Sequence, residues 1–360
     1  AHKERVPAMK ILVIGPSWVG DMMMSQSLYR SLKAQHPDAV IDVMAPAWCR
    51  PLLSRMPEVS QALAMPLGHG ALALGERRRI GKSLRASGYD RAYVLPNSFK
   101  SALVPFFAGI KRRIGWRGEM RYGLLNDMRV LDKTAFPLMV ERYIALACDA
   151  PVASAQQLPQ PLLWPQLQVD DQEKIETSAQ FQIPAERPLI GFCPGAEFGP
   201  AKRWPHYHYA ALAQQLIAEG NQVVLFGSAK DRECGEEIIA ALPAEARHYC
   251  RNLAGETQLE QAVILIARCN AVVSNDSGLM HIAAALNRPL VALYGPSSPD
   301  FTPPLSKQVR IIRLITGYHK VRKGDAVQGY HQSLIDIPPQ RVYQELSELL
   351  AHPQETACTS

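Results

Sequence analysis

The sequence predicts an α/β protein built as two doubly wound parallel-sheet domains, and three observations carry that prediction. Short β-branched runs alternate with stretches of helical periodicity, the pattern that parallel strands joined by helical crossovers require. The alternation starts twice, at Lys10 and again at Pro188, on either side of a Pro- and Gln-rich stretch from Pro151 to Pro165. A length of 360 residues also exceeds one ordinary core, so two are expected.

The elements follow in order. Ala1 to Ala8 is polar, lacks the apolar centre of a secretory signal, and is read as a remnant ahead of a natural start at Met9. KILVIG, Lys10 to Gly15, is a strand ending in a glycine turn, and Met22 to Leu32 suits the helix that follows. Val40 to Met44 and Arg91 to Leu95 read as further strands. The second half repeats the theme with strands at Pro188 to Cys193, Gln222 to Phe226, Ala271 to Ser274 and Leu290 to Leu293. Helices are expected at Tyr207 to Glu219, Leu279 to Leu286 and Gln340 to Ala351. The reading is two Rossmann-like domains, 9–165 and 166–337, a last helix at 338–352 and a frayed tail at 353–360.

Composition narrows the class. Apolar residues make up 47% and charged residues 20%, so there is ample volume for burial and no sign of wholesale disorder. Seven scattered cysteines without a C-x-x-C pair fit neither a disulfide framework nor a zinc site, and point to a reducing cytoplasm. The longest apolar candidate, Ala102 to Ile110, is too short for a membrane span and contains a proline. Charge is uneven: residues 1–165 carry 22 Lys and Arg against 12 Asp and Glu, while the rest carry 17 against 21. Either a solvated basic face or attraction to an anionic partner, nucleic acid or membrane surface, accounts for this.

In open α/β sheets ligands sit beyond the carboxyl ends of the strands, and two such domains facing one another would form a cleft. The turn IGPSWVGD, Ile14 to Asp21, has phosphate-loop glycine spacing but carries Asp21 where that loop needs lysine. Asp21 either caps the next helix or serves as a base, with Ser17 and Gly20 lining the turn. In AVVSNDSGLMHIAAAL a buried strand runs straight into a helix, so uncapped first-turn amides there would bind an anion. Asp276 is an N-cap or a ligand; Ser277 and Gly278 permit close approach, and His281 lies about one turn in. The loop PGAEFGPAKRWP carries Lys202, an ordinary surface cation or a phosphate contact, and Gly227-Ser228 ends the next strand. Anion-binding loops on one sheet edge suggest a nucleotide diphosphate, and the lack of D-x-D argues against a metal clamp. Asp21 would then take the proton from an attacking hydroxyl.

These segments, KILVIGPSWVGDMMMSQSL, PGAEFGPAKRWP, LFGS and VVSNDSGLMHIAAALNRPLVALYGPSSP, are similar to those of the ADP-heptose:lipopolysaccharide heptosyltransferases, over essentially the whole chain from Met9. The P-S-W-V-G-D turn favours the branch that adds the second inner-core heptose over the one that adds the first. The resemblance implies a GT-B architecture with the C-terminal helix crossing back to the first domain, and an inverting transfer with no obligatory metal, leaving room for stimulation by a divalent cation. It implies ADP-heptose as donor and heptosyl-Kdo2-lipid A as acceptor, at the cytoplasmic face of the inner membrane, peripherally. By motif, Asp21 matches the general base and Lys202 the phosphate-binding lysine. Ser228, Thr257, Asp276, Ser277, Gly278 and His281 match the donor site. Glu197 and Phe198 stand where the first-heptose branch has threonines, so contacts from that pair do not carry over. Lys100, Arg113, Arg117 and Arg142 are acceptor candidates on charge alone.

Other classes make different demands. A dehydrogenase needs G-x-G-x-x-G after its first strand, and Gly15 and Gly20 do not supply it. A nucleotide-sugar epimerase of the same two-domain type would turn over the donor without any acceptor. A nucleic-acid binder could use the basic face, but no RNP pattern or zinc finger is present.

Overall fold

The computed structural model describes residues 7–67, 70–317 and 328–352. The remnant reading for 1–6 and the tail reading for 353–360 lie outside the described residues. The chain divides into two compact units, Ala1–Pro165 and Gln166–Ser360.

The first unit holds β1 (Lys10–Ile14), β2 (Val40–Ala45), β3 (Val59–Ala64), β4 (Arg91–Val94), β5 (Arg112–Trp116) and β6 (Asp127–Arg129). All pair in parallel, in the order β3-β2-β1-β4-β5-β6. The second unit holds β7 (Leu189–Cys193), β8 (Gln222–Leu225), β9 (Cys250–Asn252), β10 (Ala271–Asn275), β11 (Leu290–Tyr294) and β12 (Val309–Arg313). Their order, β12-β11-β10-β7-β8-β9, is the same winding, again fully parallel. The strand order reverses between β1 and β4 in one sheet and between β7 and β10 in the other, which are the crevices where ligands bind.

Every strand expected from the sequence is present. Those it lacked, β3, β5, β6, β9 and β12, lie at or beside sheet edges. There one face stays wet and the apolar run is diluted by charge, as in RRIGW and VRIIR. The central strands are nearly continuous in burial, as helices on both faces demand.

Helix Val19–Gln35 starts three residues before the expected Met22, because the chain turns helical directly after Trp18. Its residues from Met22 to Tyr29 are buried, and it packs on helix Met139–Ala147. The last helix, Pro339–Ala351, places its buried residues Val342, Leu346 and Leu349 in the core of the second unit, against helix His206–Ala218 and β11. Among the described residues no helix is long and apolar enough to cross a membrane, and the six described cysteines are unpaired.

Truncating Leu346, which is 1% exposed, leaves a cavity inside that core. Leu346→Ala is expected to lower stability by about 2–5 kcal/mol in chemical denaturation, whereas a helix packed elsewhere or loosely would lose far less.

Candidate active site

Each sheet's crevice carries part of the site. In the first unit, Gly15 leaves β1 where an added Cβ would lie 3.1 Å from Val43 Cγ1, tighter than an ordinary contact, so glycine suits the close pass by β2. Trp18 is the N-cap of helix Val19–Gln35, without a side-chain capping bond, and Asp21 falls at the third helical position. The simple capping role for Asp21 is thereby excluded. Half-buried Ser17 and Gly20 precede it. Among the described residues no hydrogen bond or ion pair holds the Asp21 carboxylate, and burial alone raises its affinity for a proton. The phenol of Tyr143, on helix Met139–Ala147, lies near enough for the Asp21 charge to raise it further above its ordinary range. Tyr143 has no sequence motif and was missed.

The basic character of the first unit divides once its contacts are drawn. Arg113 donates from Nε to Leu124 O (2.6 Å) and from Nη1 to Ile110 O (2.6 Å), and Arg142 Nε donates to Phe136 O (2.8 Å). Burial lowers the pKa of both, and their geometry braces loops rather than presenting charge. Of the other two acceptor candidates, Lys100 is half-buried and Arg117 exposed. Arg77 likewise donates to Leu72 O (2.7 Å) and Ala71 O (3.0 Å). Much of the positive charge counted in the sequence is internal scaffolding.

In the second unit four strand-end loops converge. Asp276, just after β10, has its carboxyl raised by burial, with a hydrogen bond to Ser297 and the charge of Lys202 pulling the other way. Lys202 itself sits over the ring of Phe198, 4.7 Å from its centroid. Phe198, for which no role carried over, is thus the support of the lysine. Ser277, not Asp276, is the N-cap of helix Gly278–Ala285; it makes no side-chain capping bond, its Oγ lying 3.3 Å from Ser274 Oγ. First-turn amides therefore stay available to a ligand. His281 is 5% exposed, burial pushes it down to about 4, and its Nδ1 has no partner among the described residues. It is a neutral imidazole at physiological pH.

Ser228, exposed, donates its N–H (2.9 Å) and hydroxyl (3.2 Å) to Asp231 Oδ2. Side chains on Gly195 or Gly227 would overlap the Asp231 carboxyl group, so two loops lack Cβ atoms where it sits. Gly255 N–H bonds Gly227 O at 3.0 Å, bringing the β9 loop, and with it half-exposed Thr257, against the same edge. Among the described residues no group of three or more His, Cys, Asp or Glu is placed to hold a metal ion.

The residue that unites these loops is Asn275, fully buried at the end of β10. Its amide donates to Pro194 O (2.7 Å) and Gly195 O (3.2 Å), while its oxygen accepts from Trp204 N–H (3.0 Å) and Tyr209 OH (2.8 Å). Every bond the amide can make is made, and both ends of the loop carrying Lys202 are clamped to the strand that delivers Asp276. Asn275 stood inside the N-D-S-G motif, yet only contacts separate its role from that of its neighbours. Ser297, in Y-G-P-S-S-P, was likewise quoted but given no role.

The profile of glycosyltransferase family 9 (heptosyltransferase) matches residues 77–331. The chain belongs to that family. Lipopolysaccharide heptosyltransferase 2 of Escherichia coli is 78% identical over 95% of this chain and 99% of its own. Lipooligosaccharide heptosyltransferase 2 of Haemophilus influenzae is 62% identical over 95% and 100%. Lipopolysaccharide heptosyltransferase 1 of Pseudomonas aeruginosa is only 25% identical over 82% of this chain, which disfavours the first-heptose alternative. The solved structure of the E. coli ADP-heptose LPS heptosyltransferase II superimposes with a TM-score of 0.88 at 73% identity, covering 95% of this chain and 99% of that one. The fold class is accordingly GT-B and the protein is a glycosyltransferase. A family 9 protein from Veillonella parvula, 19% identical, shares the fold at a TM-score of 0.81 over 97% and 99% of the two chains.

Two outcomes follow for this heptosyltransferase. In Asn275→Asp an oxygen replaces the donor facing two carbonyls; stability should fall by about 1–3 kcal/mol in urea, against about 1 kcal/mol for Tyr209→Phe. Equal stability of Asn275→Asp and wild type would remove the clamp. The Asp21 carboxyl binds its proton more tightly folded than unfolded, so its ionisation destabilises the fold above the folded pKa and not below its ordinary value of 3.8. Asp21→Asn should therefore melt higher than wild type at pH 7, with the gain fading in strong acid; a lower or unchanged melting temperature at pH 7 contradicts this.

Proposed function

We propose that this chain transfers L-glycero-D-manno-heptose from ADP-heptose to the first heptose of heptosyl-Kdo2-lipid A, with inversion, at the cytoplasmic face of the inner membrane. The observation that carries the mechanism is the proton-avid carboxylate of Asp21 at the crevice of the first sheet, unpartnered among the described residues. The names of the relatives support the donor, the lipopolysaccharide product and the second position.

In this reading the acceptor hydroxyl attacks the anomeric carbon from the face opposite the diphosphate. The new glycosidic C–O bond forms as the bond to ADP breaks, the bonding pair leaves with ADP, and the hydroxyl proton passes to Asp21. The second unit holds the leaving group. Lys202 meets its negative charge, first-turn amides at Ser277 and Gly278 offer donors, and neutral His281 offers its free ring nitrogen. Asp276 orients the sugar through hydroxyl contacts, while Ser228 and Thr257 border the nucleoside. Lys100 and Arg117 are the proposed contacts to acceptor phosphates. Transfer is proposed to need no metal, with the Lys202 charge and helix amides carrying charge stabilisation, and association with the membrane is peripheral.

The deciding assay supplies ADP-heptose with either Kdo2-lipid A or its monoheptosylated form, in the presence of EDTA. Transfer only to the monoheptosylated acceptor is expected. Asp21→Ala should lose about 10²- to 10⁴-fold in rate while ADP affinity is retained. The wild-type rate should fall as pH drops through the raised pKa of Asp21. Donor breakdown without any acceptor would instead favour an epimerase or hydrolase, and wild-type turnover by Asp21→Ala would remove the base.

A further inference from the structure

The first unit displays large apolar side chains beside the surface cations Lys100 and Arg117. Met120 is 82% exposed and Tyr122 65%, while Phe99 and Phe106 are 38% and 40% exposed. They belong to one surface. Glu119 accepts from Phe99 N–H (3.2 Å) and donates its own N–H to Asn97 O (3.0 Å), joining the loop after β5 to the loop after β4. On the other side Arg113 donates to Leu124 O while its guanidinium lies 5.4 Å from the centre of the Phe106 ring.

This exposure is imposed by what lies beneath. Arg121, between Met120 and Tyr122, is 0% exposed, and donates from Nη1 to Pro96 O (2.7 Å) and from Nη2 to Trp116 O (2.6 Å). With Arg121 drawn wholly inward in this loop, its two neighbours Met120 and Tyr122 stand exposed. A buried guanidinium bonded mainly to carbonyls is an expensive way to hold a loop, and here it holds two apolar side chains in water. Lys100 and Arg117 flank them at the surface.

Exposed methionine, tyrosine and phenylalanine beside a lysine and an arginine match a lipid–water interface of negative charge. Nucleic acid fits less well, because Met120, the most exposed of the four, offers a base no ring to stack on. The loops after β4 and β5 also leave the same edge of the parallel sheet as the β1 turn carrying Asp21. We infer that the surface formed by Phe99, Phe106, Met120 and Tyr122, with Lys100 and Arg117, docks this enzyme on an anionic lipid bilayer. The inference rests on the proposed lipid-linked acceptor, and names the face that meets the membrane.

The test is flotation of the full chain with phosphatidylcholine vesicles, with and without phosphatidylglycerol. Wild type should float with the anionic vesicles only, and less as salt rises. Met120→Asp/Tyr122→Asp should bind them roughly tenfold more weakly, since apolar insertion is lost and charge repels. On a water-soluble, acyl-free acceptor the double variant should transfer at the wild-type rate. Equal flotation of variant and wild type, or no flotation of wild type, overturns the inference, as would retention on RNA in place of vesicles. Flotation as expected with no transfer by wild type to any acceptor would leave the docking surface standing and overturn the proposed reaction instead.

Discussion

An all-parallel sheet sends every strand out at the same edge, and this constraint governs where chemistry appears in both units. The loops after β7, β8, β10 and β11 have nowhere else to go, so residues 80 positions apart, such as Asn275 and Gly195, become hydrogen-bonded neighbours. The same rule in the first unit puts the turn after β1 beside the loops after β4 and β5. Convergence is thus a property of the sheet, and the side chains then exploit it.

Convergence creates crowding, which each unit relieves in its own way. In the second, glycines at 195 and 227 leave room for the Asp231 carboxylate, and the fully bonded amide of Asn275 fixes the loop ends. In the first, arginines do the work: Arg77, Arg113 and Arg121 satisfy clusters of backbone carbonyls that no secondary structure reaches. Burial pulls the Arg121 guanidinium down to about 10, the electrostatic cost of using a cation as a brace.

Other groups at the ligand-binding edges are left open. Among the described residues Asp21 has no bonded partner, His281 leaves a ring nitrogen free, and the helix starting at Gly278 has no side-chain cap. Proteins satisfy nearly all buried polar groups, so those left open on a ligand-binding edge are the ones kept for a substrate.

Periodicity and glycine placement made the two doubly wound sheets and their central strands legible in the sequence, because a strand covered on both faces must be apolar along its length. The motifs at Asp21, Lys202 and Asp276 were legible for a related reason, each lying in the segment that follows such a strand. Edge strands, half wet and charged, hid from the same reading. Tertiary structure alone decided which arginines are structural, that Asn275 rather than Asp276 joins the loops, that Tyr143 lies near enough to feel the Asp21 charge, and that the last helix belongs to the second core. These are contacts across long separations, and a side chain's partner there depends on how layers pack rather than on the residues beside it in the chain.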